Sequence, residues 1–172
     1  MTADCEVKVY TGTDAGTENP TSGDADNMNL MSADSYDSDG TQYQSYPISV
    51  PDSGTNYSYE RWVRLKFSNT FNKIENIKAW KSSGTLSDSN LDIKAGTTTT
   101  GATPTNSQST IATTTLTSWD SEGEALDLTP SGGITSSPGY SKYLVMQLVV
   151  PSTVTTPGDV GTIVVTFRYD ES

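Results

Sequence analysis

Apolar and polar side chains alternate along several short segments of the chain. In RWVRLKF (61–67), three apolar residues alternate with Arg64 and Lys66, a pattern typical of a strand with one buried face and one solvent face. TIVVTFRY (162–169) alternates in the same way. YLVMQLVV (143–150) is apolar at nearly every position, as expected of a central strand covered on both sides. These segments predict β-strands.

The rest of the chain follows the same strand pattern, with almost no helix signal. No long window repeats apolar residues at the helical spacing of i, i+3, i+4 and i+7. Turn-forming residues at 51–54, 82–84 and 157–159 separate the apolar segments. We therefore predict an all-β fold, an antiparallel β-sandwich of the jelly-roll or immunoglobulin-like type, whose last two strands form a hairpin. The predicted strands lie near 5–11, 42–50, 60–68, 74–81, 89–94, 111–118, 142–150 and 160–169.

Two polar stretches do not resemble core. Residues 12–40 are acidic and rich in turn-forming residues, so we expect residues 1–40 to form an irregular N-terminal arm on a β-sandwich domain of residues 41–172. The run GTTTTGATPTNSQST (96–110) has the composition of a surface loop or an edge element.

The charge of the chain is strongly acidic and unevenly distributed. Its net charge is −11, from 21 acidic and 10 basic residues, which disfavours a nucleic-acid partner. Residues 60–81 are the exception, with six basic and two acidic side chains. They are either solvent-facing charges on two strands or a docking face for an acidic neighbour. The predicted protein interface consists of Arg61, Trp62, Arg64, Lys66, Lys78 and Trp80.

The commonest catalytic side chains are missing from the sequence. It contains no histidine and one cysteine, Cys5, which excludes Ser-His-Asp and Cys-His nucleophiles, ordinary zinc sites and an internal disulfide. No phosphate-binding glycine motif occurs. We therefore expect a protein that is not an enzyme and has no catalytic residues.

Carboxylates allow two weaker alternatives. Four acidic residues in SWDSEGEALDL (118–128) follow Trp119, and a pair of such groups is all that a glycosidase needs. Asp34, Asp37 and Asp39 evoke a calcium-binding loop, although their spacing is not that of an EF-hand. We expect polar turns at both places, with calcium as the one cofactor that these carboxylates leave open.

Two tryptophans are candidates for a binding surface. Trp62 faces outward if Val63 faces the core, so it either stacks on a sugar, anchors a protein interface or lies beneath a loop. Trp119 is a second candidate for stacking on a sugar. The sequence leaves these alternatives open.

Neither the start of the sequence nor its interior predicts a membrane partner. The first residues, MTADCEVKVY, have no basic region followed by an apolar one, so we expect no secretory signal and synthesis in a host cytoplasm. No segment approaches the ~18 apolar residues of a membrane-spanning helix.

Three segments carry a resemblance to a known class of proteins. NYSYERWVRLKF, FNKIENIKAW and GYSKYLVMQLVVPSTVTTPGDVGTIVVTFRYDES resemble structural proteins of tailed bacteriophages over residues 56–81 and 139–172. The resemblance implies a virion component, most simply a decoration protein on the outer capsid surface, with a tail or baseplate subunit as the other form. Its partners would be the major capsid protein or other virion proteins, and it would form a homo-oligomer in the assembly. The alternative function is a carbohydrate-binding or host-adhesion module.

Overall fold

The computed structural model describes residues 2–156 and 158–172. In these residues the chain forms two antiparallel sheets linked by loops and four short 3-10 turns, and no helix is long and apolar enough to cross a membrane. The all-β prediction is confirmed. The strands are β1 (Asp4–Thr11), β2 (Thr17–Asn19), β3 (Thr55–Tyr57), β4 (Arg61–Ser68), β5 (Ile74–Gly84), β6 (Asp92–Thr98), β7 (Leu126–Asp127), β8 (Gly139–Tyr140), β9 (Tyr143–Pro151) and β10 (Ile163–Glu171). The 3-10 turns are Thr13–Ala15, Gln42–Gln44, Leu116–Ser118 and Glu122–Glu124.

The larger sheet has the order β2-β1-β4-β9, and β6 pairs with the other side of β9. β1 and β4 pair over most of their length, from Asp4 opposite Ser68 to Tyr10 opposite Trp62. β3 pairs with the end of β9, and β8 pairs with the end of β4. The long strands β4 and β9 are therefore each flanked by a short strand as well as by a long one.

The smaller sheet has the order β10-β5-β7. Since β9 belongs to the larger sheet and β10 to the smaller one, the predicted hairpin between the last two strands is wrong. The connection between them is long enough to cross from one sheet to the other, and Asp88 binds it by accepting hydrogen bonds from the N–H groups of Thr155 and Thr156 (2.9 and 3.2 Å). The predicted turn at 157–159 begins at a residue outside the described ones.

The core lies between the inner faces of the two sheets. Alternate residues of β4 (Val63, Leu65 and Phe67) are buried there with Ile77 and Ala79 of β5, so the alternation in 61–67 is confirmed. Burying this apolar surface is the main stabilising contribution to the fold.

A second apolar cluster covers the opposite face of the larger sheet. Trp62, Tyr143 and Val145 pack there against Ala15 and Ala112, which come from loops. β9 is therefore buried on both faces, as its continuous apolar sequence predicts.

Two predicted strands do not form, and a third is displaced. Residues 42–50 contain the turn Gln42–Gln44 and then irregular chain, whereas 111–118 contributes one bridge, from Thr114 to Ala95. The strand predicted at 89–94 is β6, which runs to Thr98. The first two segments have few apolar side chains to bury, so loop contacts determine their conformation instead.

The predicted N-terminal arm packs closely on the sandwich. Ala25 N–H donates to the Val7 carbonyl oxygen (2.8 Å), and Tyr59 N–H donates to that of Met31 (2.9 Å). Met31 is buried in this contact. The predicted arm is therefore only partly irregular: its residues Asp4–Thr11 are β1 of the larger sheet, and the residues after β2 are bonded to β1 and to the segment that precedes β4.

Candidate assembly surface

Trp62 lies beneath a loop. It is fully buried, its ring packs edge-on against Tyr143 (5.3 Å between centroids), and its Nε1 donates to Glu60 Oε2 (3.0 Å). The Thr-rich loop covers it, since Glu60 N–H donates to the Thr105 carbonyl oxygen and Ala112 packs on the same face. Trp62 therefore offers no side chain to a partner or a sugar, contrary to the interface prediction.

Arg61 is directed into the sandwich rather than out of it. Its guanidinium donates to the carbonyl oxygens of Asn29 (2.6 and 3.1 Å) and Ser35 (2.8 Å), both in the N-terminal arm. Burial lowers the pKa of Arg61 to about 10, and the nearby carboxylates of Asp34 and Asp37 oppose that effect. Arg61 is thus an internal link between β4 and the arm, which corrects its prediction as an interface residue.

Arg64 and Lys66 face outward from the larger sheet but have partners within the chain. The Arg64 guanidinium lies over the rings of Tyr140 (4.0 Å) and Tyr143 (4.7 Å), in the geometry of cation–π contacts. Lys66 forms an ion pair with Glu18 (2.7 Å). Both cations are therefore engaged in the structure of this face.

Lys78 and Trp80 lie on the other side of the molecule. They alternate with the buried Ile77 and Ala79 of β5, so they project from the outward face of the smaller sheet. Arg64 projects from the outward face of the larger sheet. The six predicted interface residues consequently do not form one surface.

The outward face of the smaller sheet combines apolar and charged groups around Trp80. Thr166 lies opposite Trp80 and Arg168 opposite Lys78 in the sheet register, and the side chain of Val164 is 49% exposed. Arg168 pairs with Glu122 at the border of this face. We call this surface, made of Lys78, Trp80, Val164, Thr166 and Arg168, the small-sheet face.

β10 is also an edge strand. Within residues 2–156 and 158–172, it pairs only with β5, so its other edge presents backbone N–H and C=O groups without a strand partner. A cavity of about 260 Å³ lies along this edge, between residues 26–30 of the arm and residues 160–165. Its floor includes Ile93 and Met146 of the larger sheet.

The ion pair of Asp127 lies at the opposite edge of the smaller sheet, in β7. Lys142 Nζ lies 2.8 Å from Asp127 Oδ2. Burial by itself would raise the pKa of Asp127, but hydrogen bonds from Lys142 and Thr129 outweigh that effect and lower it. Asp127 is therefore ionised at neutral pH and balances the cations nearby.

The acidic residues predicted as a possible calcium loop accept hydrogen bonds from backbone N–H groups. Asp37 is buried and accepts hydrogen bonds from the N–H groups of Thr41 (3.0 Å) and Gln42 (3.1 Å) and from Asn29 Nδ2 (2.8 Å). Burial by itself would raise the pKa of Asp37, but hydrogen bonds from Asn29 and from the N–H groups of Gln42 and Tyr43 lower it.

The neighbouring carboxylates have similar roles. Asp39 accepts hydrogen bonds from the N–H (3.0 Å) and the hydroxyl (2.8 Å) of Thr41. Asp34 accepts a hydrogen bond from Gly12 N–H (2.8 Å). In the described part of the chain, no group of three or more His, Cys, Asp or Glu side chains is arranged to hold a metal ion. The arrangement of Asp34, Asp37 and Asp39 thus fits polar turns, and the calcium hypothesis gains no geometric support.

The acidic cluster after Trp119 is spread over the surface. Its members, Asp120, Glu122, Glu124 and Asp127, are exposed. Trp119 is buried, with Nε1 3.4 Å from the Ile93 carbonyl oxygen, so it provides no platform for a sugar. Both tryptophans singled out as sugar-stacking candidates are therefore enclosed by the fold.

Comparisons with known proteins identify no relative. No protein-family model, no curated protein and no solved structure matches this chain. The functional assignment therefore depends on the geometry of the chain itself.

Proposed function

We propose that the chain is a non-enzymatic structural protein of a bacteriophage virion, which attaches to a protein lattice through the small-sheet face and the edge of β10. The observation that carries this proposal is the unpaired edge of β10 beside the exposed Val164, within the residues that the structure describes. Proteins usually protect such an edge with proline, lysine or a covering loop, because it can pair with another chain. β10 contains neither proline nor lysine, and its charged residues, Arg168, Asp170 and Glu171, lie in its second half, so the half that contains Val164 is the one proposed to pair.

The side chains of the small-sheet face are suited to protein contact. Trp80 is half-buried at its centre, and large aromatic groups of this kind dominate the binding energy of many protein interfaces. Lys78 supplies positive charge on this face of an acidic protein, which would orient the chain on an acidic neighbour. The small-sheet face therefore replaces the basic segment 60–81 as the proposed docking site.

The most specific form of the proposal is a decoration protein on the outer surface of a capsid. A net charge of −11 disfavours contact with packaged DNA, because like charges repel. The resemblance of the strand segments to tailed-phage structural proteins points the same way. In this form the partner is the major capsid protein, and neighbouring copies of the chain assemble on the lattice.

Immunogold electron microscopy of particles purified from the source culture tests this function. We expect an antibody against the chain to label capsid shells, whereas pre-immune serum leaves them bare. Label confined to tails would favour the tail or baseplate form. Particles without label, together with chain found only in the particle-free fraction, would contradict a virion role.

A further inference from the structure

A second cavity, of about 230 Å³, lies at the open end of the larger sheet beside β3. The chain that follows the turn Gln42–Gln44 forms one wall, β3 forms another, and Asn106 of the Thr-rich loop closes it. It is remote in sequence from the strands of the small-sheet face. Its polar side chains come from Ser32, Ser49, Thr55, Asn56, Tyr57 and Asn106.

The polar groups of this cavity are all neutral. Hydroxyl and amide side chains line it, and no acidic or basic side chain of the described residues does. Asn56 Nδ2 donates to the carbonyl oxygen of Ser49 (2.8 Å), which holds the Asn56 amide in place before any ligand arrives. Such fixed, uncharged donors and acceptors suit a ligand that has many hydroxyl groups and no net charge.

One aromatic ring accompanies these polar groups, since Tyr57 lines the cavity. The exposed Tyr46 lies outside the lining but next to it in the chain: its carbonyl oxygen accepts a hydrogen bond from Ser32 N–H (2.9 Å), and both Ser32 and Pro47 line the cavity. An aromatic side chain presents an apolar face and a polar tip, which matches the C–H face and hydroxyl edge of a sugar ring.

We propose that this cavity binds one unit of a neutral saccharide. Its volume is below the ~300 Å³ at which pockets for drug-sized ligands begin, so a single sugar ring is the appropriate size. This binding site goes beyond the proposed attachment to a lattice and does not depend on it. Its aromatic residue is Tyr57 of β3, in place of Trp62 and Trp119, which are buried.

Saturation-transfer NMR on the full chain tests the site, with neutral hexose oligosaccharides as probes and sialylated and sulfated ones as charged comparisons. We expect transfer to a neutral saccharide and binding that is at least about five-fold weaker in Tyr57→Ala and Asn106→Ala, since each loses a contact comparable with one hydrogen bond. Asn106 is exposed, so its variant reports on binding even if Tyr57→Ala folds poorly. The matched control is Asn72→Ala, another exposed asparagine outside the cavity lining.

Three results would overturn the proposal: no transfer to any neutral saccharide, preference for the charged ones, or equal binding by Asn106→Ala and Asn72→Ala. The immunogold labelling of purified particles tests attachment to a lattice independently of saccharide binding. Either proposal can therefore fail without the other.

Discussion

Arg61 shows how far one residue can depart from the role that its sequence context indicates. It begins a strand in a basic segment, which favours an exposed position, yet it shares the inward face of β4 with Val63. Alternation alone predicts this face. It does not predict that the arm would supply two carbonyl oxygens to the guanidinium, because those acceptors come from residues 29 and 35.

Replacement of Arg61 by methionine tests its role as a link to the arm. We expect the free energy of unfolding to fall by about 2–4 kcal/mol, because buried acceptors lose charged hydrogen bonds. Urea denaturation measures the change. Lys78→Met is the control on the small-sheet face, and it should change the stability by no more than about 0.5 kcal/mol. Equal effects of the two variants would show that Arg61 is not a structural link.

At the scale of elements, strict alternation predicts strands better than composition does. β4 was predictable from its alternation and β9 from its continuous apolar run, because in each the apolar residues decide which faces are buried. The segments 42–50 and 111–118 were mispredicted, since β-branched and aromatic residues favour strands only where another element covers them. The partner sheet of β10 was also mispredicted, because proximity in sequence favours a hairpin but does not require one.

The burial of Trp62 likewise depends on an element that covers it, here a loop. Gln147 in β9 holds the covering loop: its Oε1 accepts from Ser109 N–H (2.8 Å), and its Nε2 donates to the Ser107 carbonyl oxygen (2.8 Å). A polar residue within an apolar strand was the available signal that a loop docks there. The low complexity of residues 96–110 hid which loop it was.

Asp88 joins two loops and makes their attachment dependent on pH. Hydrogen bonds from the N–H groups of Asn90 and Thr155 hold the pKa of Asp88 well below its ordinary value. A carboxyl group with a lowered pKa in the folded state stabilises the fold above its unfolded pKa of ~3.9, and this contribution is lost as the pH falls below that value. We therefore expect Asp88→Asn to be less stable than the parent chain at pH 7, and the difference to shrink at pH 3.

Thermal unfolding at the two pH values measures the effect. Asp52→Asn, which alters an exposed aspartate, is the control and should match the parent chain at both. A difference between Asp88→Asn and the parent that stays constant from pH 7 to pH 3 would rule out the carboxylate as its source.

At the scale of the whole molecule, the two outward faces differ in how far their side chains are engaged within the chain. The face of the larger sheet is covered by loops and by internal pairs such as Arg64 with Tyr140 and Lys66 with Glu18. The small-sheet face keeps Trp80 half-buried and Val164 exposed at its edge. A run of basic residues in sequence could not reveal this division, because β4 and β5 belong to different sheets. Of the four basic residues in the predicted interface, Lys78 is the one that remains on the proposed docking surface.

The occupancy of the chain on purified particles tests the central claim most directly, when Val164→Glu is compared with Tyr43→Ala. Both variants alter an exposed side chain, but only Val164 lies on the small-sheet face. We expect Val164→Glu to lower the number of bound copies per particle at least about tenfold, because it places a negative charge in an apolar contact and opposite an acidic partner, while Tyr43→Ala leaves that number unchanged. Equal occupancy by two folded variants would contradict attachment through this face.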